Sequence, residues 1–466
     1  GLLLNRLKVS ENTSRRVVHI GVGLMVSSSP FLFDDARPAI LLAVIFIILN
    51  WLALIKDKAQ GMHSTQRKSY GTVYFPLSFL VLILLFWESN PAALILGMLL
   101  MTLSDPFASF VGESRLGGKS FTPWQDKKSP GGTLAAFCSN FLLVFFLLPL
   151  FFPLQIPSLF IISFNVAIVG MLAEIISREG TDNLSLPLFS ALMLDLSVNT
   201  TFSGQFVILF WILFSALLAG TAYHLKSLSV SGFFGALFMG SIMFSLGGMQ
   251  WMAPMAAFFI LSSLISKIGK VKKRSASLMA EKHDVRDIYQ VYANGGIGFV
   301  CVILFYISNN DLFYVAYLAS LASAAADTWA TEFGTLLGKY PRKITNFQPV
   351  LPGESGGITL TGTLASILGA FSIGLTGYIL SSDIDGKIFA LIVLAGFSGA
   401  LIDSILGATI QAQYRCPHCQ KITEKQIHCG EYTTQLQKGI RPINNDVINL
   451  LCTLSGALIA FFVLWI

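Results

Sequence analysis

Apolar runs of about 20 residues recur along nearly the whole chain, each long enough to cross a hydrocarbon layer of about 30 Å. Lipid offers no water to backbone amides and carbonyls, so such runs must satisfy their own hydrogen bonds as helices. They begin near Val17, Pro38, Gly71, Pro91, Gly131, Ile156, Ser185, Gln205, Val230, Trp251, Asp287, Leu312, Ile358, Ile388 and Ile443, which predicts roughly fifteen crossings. Hydrophobic residues make up 54% of the 466 and charged residues only 12%. With a mean hydropathy of +0.69, that excludes a soluble globule, whose apolar surface would outrun any single core. The expected fold is an all-α polytopic membrane protein.

The charges carry the orientation. If the N-terminus is cytoplasmic, every Lys and Arg except Arg37 and Lys387 falls at the cytoplasmic side, while Asp34, Asp35, Glu88, Asp311, Asp383 and Asp385 lie opposite. The C-terminus is then expected on the far side, and a prokaryotic inner membrane is the expected location. The opening GLLLNRLKVSENTSRR turns polar after three leucines, so no cleavable signal is read and insertion is expected through the chain's own helices. A net charge of +6 reads as topology-setting rather than as a nucleic-acid surface. Six cysteines are too few and uneven for a disulfide scaffold, and Cys138, Cys301 and Cys452 read as small core residues. Nothing in the sequence sets the oligomeric state.

Residues 102–133, TLSDPFASFVGESRLGGKSFTPWQDKKSPGGT, return as a degraded copy at 326–359, ADTWATEFGTLLGKYPRKITNFQPVLPGESGGIT. By eye, Asp105 falls on Asp327, Ala108 on Ala330, Gly112 on Gly334, Gly118-Lys119 on Gly338-Lys339, and residues 129–132 on 354–357. Arg67-Lys68 and Arg286-Asp287 open the third and eleventh segments, and Asp182-Asn183 and Asn445-Asp446 the seventh and fifteenth. These landmarks predict two parallel seven-helix repeats joined by one extra helix, with domains at 1–203 and 204–466.

All landmarks fall on one predicted face, where a water-soluble substrate would arrive. The first set is Arg67, Lys68, Asp105, Glu113, Arg115, Lys119, Lys127, Lys128, Glu174, Asp182 and Asn183; the second includes Arg286, Asp327, Glu332, Lys339, Arg342, Lys343, Glu354, Asp403, Asn445 and Asp446. Acids beside basic residues and glycines point to metal plus phosphate: carboxylates hold Mg²⁺, amides and cations take phosphate oxygens, and a carboxylate can accept a hydroxyl proton. Pro106 is expected to break its helix and aim an N-terminus at an anion.

Plainer roles compete with these. Gly112–Ser120 imitates a P-loop, but its spacing is wrong and no strand precedes it. Lys127 and Lys128 could set topology or meet anionic headgroups, Asp105 and Asp182 could be helix caps, and His19 could be interfacial. Asp403 is either a metal ligand or a charge paired inside the bundle, with no evident counterpart in the first repeat. At 414–430, Cys416-x-x-Cys419 followed by His428-Cys429 has the donor types of a small structural zinc site, with His418 in reserve, or else is a group of ordinary reduced thiols.

HIGVG after an Arg-Arg pair, RKSYGTVYFPL, SDPFASFVGE, KKSPGGT and EGTDNLSLPL, within about residues 10–200, resemble the phytol kinase branch of the polyprenol and dolichol kinase family. From Gln205 onward, AADTWATEFG, ITNFQPVLPGESGGIT, GALIDSILGA, YRCPHC, HCG and NNDVINLL resemble the integral-membrane family that includes phytyl-phosphate kinases. The resemblance implies a fusion: a prenol kinase followed by a prenyl-phosphate kinase, acting in a bilayer on an isoprenoid alcohol and then on its phosphate, with a nucleoside triphosphate, commonly CTP, and Mg²⁺.

On that reading Asp105, Asp182, Asp327 and Asp446 take catalytic or metal roles, with Glu354 and Asp403 as further Mg²⁺ ligands. Arg67, Lys68, Lys119, Lys127, Lys128, Gly131, Gly132 and Asn183 hold nucleotide or phosphate in the first half. Arg286, Lys339, Arg342, Lys343, Gly356, Gly357 and Asn445 do so in the second. A cytidylyltransferase on a lipid phosphate and a lipid-phosphate carrier are the alternatives, although carriers gather polar groups at the midplane rather than at one face.

Overall fold

The structure, a computed structural model, describes residues 11–55, 70–269 and 285–466. Arg67 and Lys68 lie outside the described residues. The chain is a nearly all-helical, multi-pass membrane protein organised as two compact units, Gly1–Ala216 and Leu217–Ile466.

In the first unit, α1 (Glu11–Ser27), α2 (Ala36–Ile55) and α3 (Gly71–Phe86) precede α4 (Pro91–Leu99), which runs through a π turn (Leu100–Ser104) into α5 (Asp105–Glu113). The unit continues with α6 (Pro130–Leu147), α7 (Ile156–Ile175) and α8 (Asp182–Val198). A last helix, α9 (Phe202–His224), carries the chain from one unit into the next. Pro106 does not break the chain into a free helix start: Ser104 and Asp105 keep helical angles (φ −74° and −62°). The wide π turn absorbs the hydrogen bond that proline cannot donate. His19 Nε2 meets the Met101 carbonyl at this turn, 3.2 Å away, so α1 is fastened to it.

The second unit holds α10 (Val230–Lys267), α11 (Ile288–Ser308), α12 (Leu312–Leu337), α13 (Leu360–Leu380), α14 (Gly386–Thr409) and α15 (Asn445–Trp465). Among the described residues, ten helices are long and apolar enough to cross a membrane, fewer than the fifteen crossings expected. Two of the expected runs merge in α10, a 38-residue helix that turns at Gly248 (φ 64°). Helix α12 is not among the ten, yet every residue from Tyr314 to Ala326 is buried. Its Ala and Ser residues face protein rather than lipid, so close approach matters more there than apolarity.

Glycines on neighbouring helices permit that approach. A Cβ at Gly369 of α13 would sit 2.7 Å from the Ala325 carbonyl oxygen and 2.9 Å from its carbon. Backbone cannot yield as a flexible side chain can. Gly369→Ala should therefore lower thermal stability in detergent by about 1–3 kcal/mol, despite alanine's better helix propensity. Gly220→Ala in α9, with nothing among the described residues within 4 Å of the new methyl, should gain at most about 1 kcal/mol.

Candidate active sites

Three helices deliver three acids to one place in the first unit. Asp105 follows the π turn, Glu174 lies in the last turn of α7, and Asp182 is the first residue of α8. Between Glu174 and Asp182 the chain reverses through Glu179 (φ 52°) and Gly180 (φ 90°). Asp105 lies within electrostatic reach of Asp182, Glu174, Lys128 and Arg16. Lys128 enters from the loop before α6 and donates from Nζ to Glu174 Oε1 (2.6 Å) and Ser177 Oγ (2.7 Å). Ser177 Oγ in turn donates to Asp182 Oδ2 at 3.4 Å. The ion-pair side chains are 12% and 13% exposed. Burial alone would depress the Lys128 ammonium, but Glu174, Asp182 and Asp105 outweigh it and raise its pKa above the ordinary value.

The other expected residues divide. Asn183 helps form the start of α8, its amide donating to Gly180 O at 3.2 Å and Asp182 Oδ1 at 3.0 Å. Lys119 and Lys127 are exposed. Gly131 and Gly132 serve close packing: a Cβ on Gly131 would meet the Leu116 carbonyl carbon at 2.8 Å, and one on Gly132 the Ala108 oxygen at 3.1 Å.

The second unit holds an open cavity of about 700 Å³ whose lining includes Arg286, Asp327, Glu354, Asp403, Asn445 and Asp446. The Asp327 and Asp403 side chains lie against each other, while Asp403 Oδ2 is buried with no hydrogen-bond partner among the described residues. Two carboxylates held together away from water repel each other, and a hard divalent cation between them removes that repulsion. The carboxylate oxygens of Asp327 and Asp403 are donors of the kind Mg²⁺ takes. Arg286 lies over the Phe258 and Phe259 rings at 5.9 and 5.6 Å, and burial lowers its pKa against the opposing pull of Glu332. Gly356 and Gly357 also line the cavity. Lys343 pairs with Glu354 at 3.4 Å, Arg342 donates to the Phe347 carbonyl, and Lys339 is exposed.

The two units share local geometry in a different register from the alignment by eye. Ser129 caps α6 by accepting from Gly132 N, and Thr359 caps α13 by accepting from Gly362 N. A Cβ on Gly112 would lie 2.9 Å from Ser129 Oγ and 3.6 Å from Gly132 Cα; one on Gly334 would lie 3.2 Å from Thr359 Oγ1 and 3.6 Å from Gly362 Cα. Thr359, rather than Glu354, thus occupies the place of Ser129. Asp403 also gains a counterpart: Gly170-Met-Leu-Ala-Glu174 and Gly399-Ala-Leu-Ile-Asp403 have the same glycine-to-acid spacing. Each acid reaches the aspartate of the preceding long helix pair, Glu174 by proximity to Asp105 and Asp403 by contact with Asp327.

Such a fold and site define a multi-pass membrane protein with half-buried acidic clusters beside capped, glycine-rich helix starts. The family described as Integral membrane protein DUF92 matches residues 213–457, and the chain belongs to that family. An uncharacterized membrane protein of Methanocaldococcus jannaschii is 33% identical over 238 residues, 51% of this chain and 86% of its own length. Protein PGR of Arabidopsis thaliana is 32% identical over 276 residues, 54% of this chain and 94% of its own. A protein named phytol kinase, from Synechocystis, is 32% identical over 196 residues, 41% of this chain and 82% of its own. No solved structure matches.

Proposed function

We propose that the chain is a bifunctional isoprenoid-alcohol kinase of the membrane, a fusion of two parallel, related halves. The first half transfers a phosphoryl group to a prenol of the phytol, geranylgeraniol or farnesol class. The second adds another phosphate to give the diphosphate, with CTP as donor in both steps. The observation that carries this reading is the pairing of acids from separate helices in each unit, Asp105 with Glu174 and Asp182, and Asp327 with Asp403 beside Asp446. The relative named phytol kinase supports the substrate class.

Phosphoryl transfer needs positioned cations more than covalent chemistry from the protein. Asp105, Glu174 and Asp182 would hold Mg²⁺ in the first unit, and Asp327, Asp403 and Asp446 in the second. The metal would neutralise charge on the phosphate oxygens. Lys128 and Arg286 supply fixed positive charge nearby, and a carboxylate takes the attacking hydroxyl proton in the first step. The orientation that serves this chemistry places both sites at the cytoplasmic side of a prokaryotic inner membrane, where the nucleotide is.

Labelled nucleotide tests the reaction. Purified protein given geranylgeraniol or phytol, Mg²⁺ and CTP should move label from the γ position, and none from the α position, into lipid. Label from the α position in lipid, with pyrophosphate released, when a lipid phosphate is supplied in place of the alcohol would make the protein a cytidylyltransferase. No phosphorylated lipid with any nucleotide, together with movement of a lipid phosphate across vesicles, would make it a carrier.

A further inference from the structure

We propose that Cys416, Cys419, His428 and Cys429 bind one zinc ion, and that this ion fixes the turn that carries Glu424 into the cavity of the second unit. The inference concerns the same cavity but does not depend on the reaction performed there.

The segment after α14 folds into very short strands. β1 (Gln413–Arg415) pairs antiparallel with β2 (Ile422–Thr423) and β5 (Gln435–Lys438), while β3 (Ile427–His428) pairs with β4 (Tyr432–Thr433). Strands of this length are not stable by themselves. Most side chains from 415 to 438 are exposed or half-exposed, and only Cys416, Thr423 and Thr434 are buried. A module with so small a core needs a staple, and a metal is one of the few available in a reducing compartment.

The backbone is shaped to gather the donors. Cys416 N donates to Lys421 O (3.0 Å) and Gln420 N to Cys416 O (2.9 Å), closing a tight turn around Cys416 and Cys419 with Gln420 at φ 60°. Adjacent residues of an extended strand point to opposite faces, which would keep His428 and Cys429 from sharing a metal. Cys429 instead takes a left-handed conformation (φ 52°), followed by Gly430 (φ 92°), and the alternation is broken there. All four donor atoms lie within 4.8 Å of one another. His428 Nδ1 is 3.4 Å from Cys419 Sγ and 3.2 Å from Cys429 Sγ. A tetrahedral zinc with ordinary bond lengths separates nitrogen and sulfur by about 3.5 Å, so small adjustments complete the site. His418 stacks on the Tyr432 ring, with centroids 4.8 Å apart, and is not one of the four.

Glu424 lies between Cys419 and His428, so ligands would pin both ends of its segment. Its Oε1 accepts from Ser355 Oγ at 2.6 Å and from Gln411 Nε2 at 2.8 Å. The side chain lines the cavity and lies within electrostatic reach of Asp403. Zinc on one side of the turn thus sets an acid on the other, next to the Asp327–Asp403 pair. The ion has a structural role here, since four protein donors leave no open position.

Metal analysis of the full chain in detergent should find about one zinc per chain, lost in Cys419→Ser and retained in Glu424→Gln. Wild type without bound zinc would overturn the site. Hydrogen exchange tests the coupling independently of catalysis and of whether the serine variant folds. Stripping zinc from wild type with a chelator should speed exchange about tenfold or more at 420–427 and at 353–357, with protection restored by zinc. Zinc that leaves and returns with no change at 353–357 would overturn the link to the cavity.

Discussion

Asp327→Asn should cut conversion of a prenyl monophosphate to the diphosphate by about 10²–10³-fold, with the monophosphate accumulating when the alcohol is supplied. The amide keeps the shape of the side chain and removes the charge that a cation needs. Asp327 meets Asp403 directly, so Asp403→Asn should produce a loss of similar size. The double variant should lose far less than the product of the two, because both residues serve one site. Chromatography of labelled products with monophosphate as the starting substrate reads the effect. A full rate in Asp327→Asn would remove this aspartate from the chemistry.

Removing Lys128 should have the largest effect on stability. The side chain is enclosed with Glu174, and Lys128→Ala leaves a buried carboxylate beside Asp105 and Asp182, a change that costs about 3–5 kcal/mol. Lys128→Met combined with Glu174→Leu should recover most of that loss, since the pair must also overcome its own desolvation. The pH dependence has a definite sign. The folded pKa of Lys128 is raised, so its contribution is complete below the unfolded value of about 10.4 and fades as pH climbs through the higher folded value. Thermal melts should therefore show this contribution intact from neutral pH into the mildly alkaline range, with loss only under strongly alkaline conditions. A wild-type-like melting temperature for Lys128→Ala would show the pair to be dispensable.

Helical membrane architecture was legible because lipid allows the backbone few solutions, and the apolar runs fall on helices. The crossing count was less legible. Apolarity reports exposure to lipid, and α12 escapes it by being wrapped in protein. At the sites, Asp105, Asp182, Asp327 and Asp446 stand out in sequence because charge is costly beside apolar runs. The structure brings Asp105 to Asp182, and Asp327 and Asp446 to one cavity.

The register between the halves was obscured by loop length. More residues separate Gly338 from Thr359 than Gly117 from Ser129, so the glycine pair at 356–357 masks the shared cap at Thr359. The equal glycine-to-acid spacing before Glu174 and Asp403 was present in the sequence and would have joined them. Glu424 had no such signal, because the short strands around the cysteines decide where it points. Loop cations were the least legible. Lys128 turns inward to Glu174 while its neighbour Lys127 stays exposed, and two adjacent lysines look alike until the loop is folded.

The central claim, two successive phosphoryl transfers by two separate sites, is tested most directly by giving each single-site variant each substrate. Asp105→Asn should make nothing from the alcohol yet convert supplied monophosphate to diphosphate at the wild-type rate. Asp327→Asn should do the reverse, and a mixture of the two should restore diphosphate from the alcohol. Loss of both steps in both properly folded variants, or a single variant that abolishes everything while the other abolishes nothing, would contradict the account.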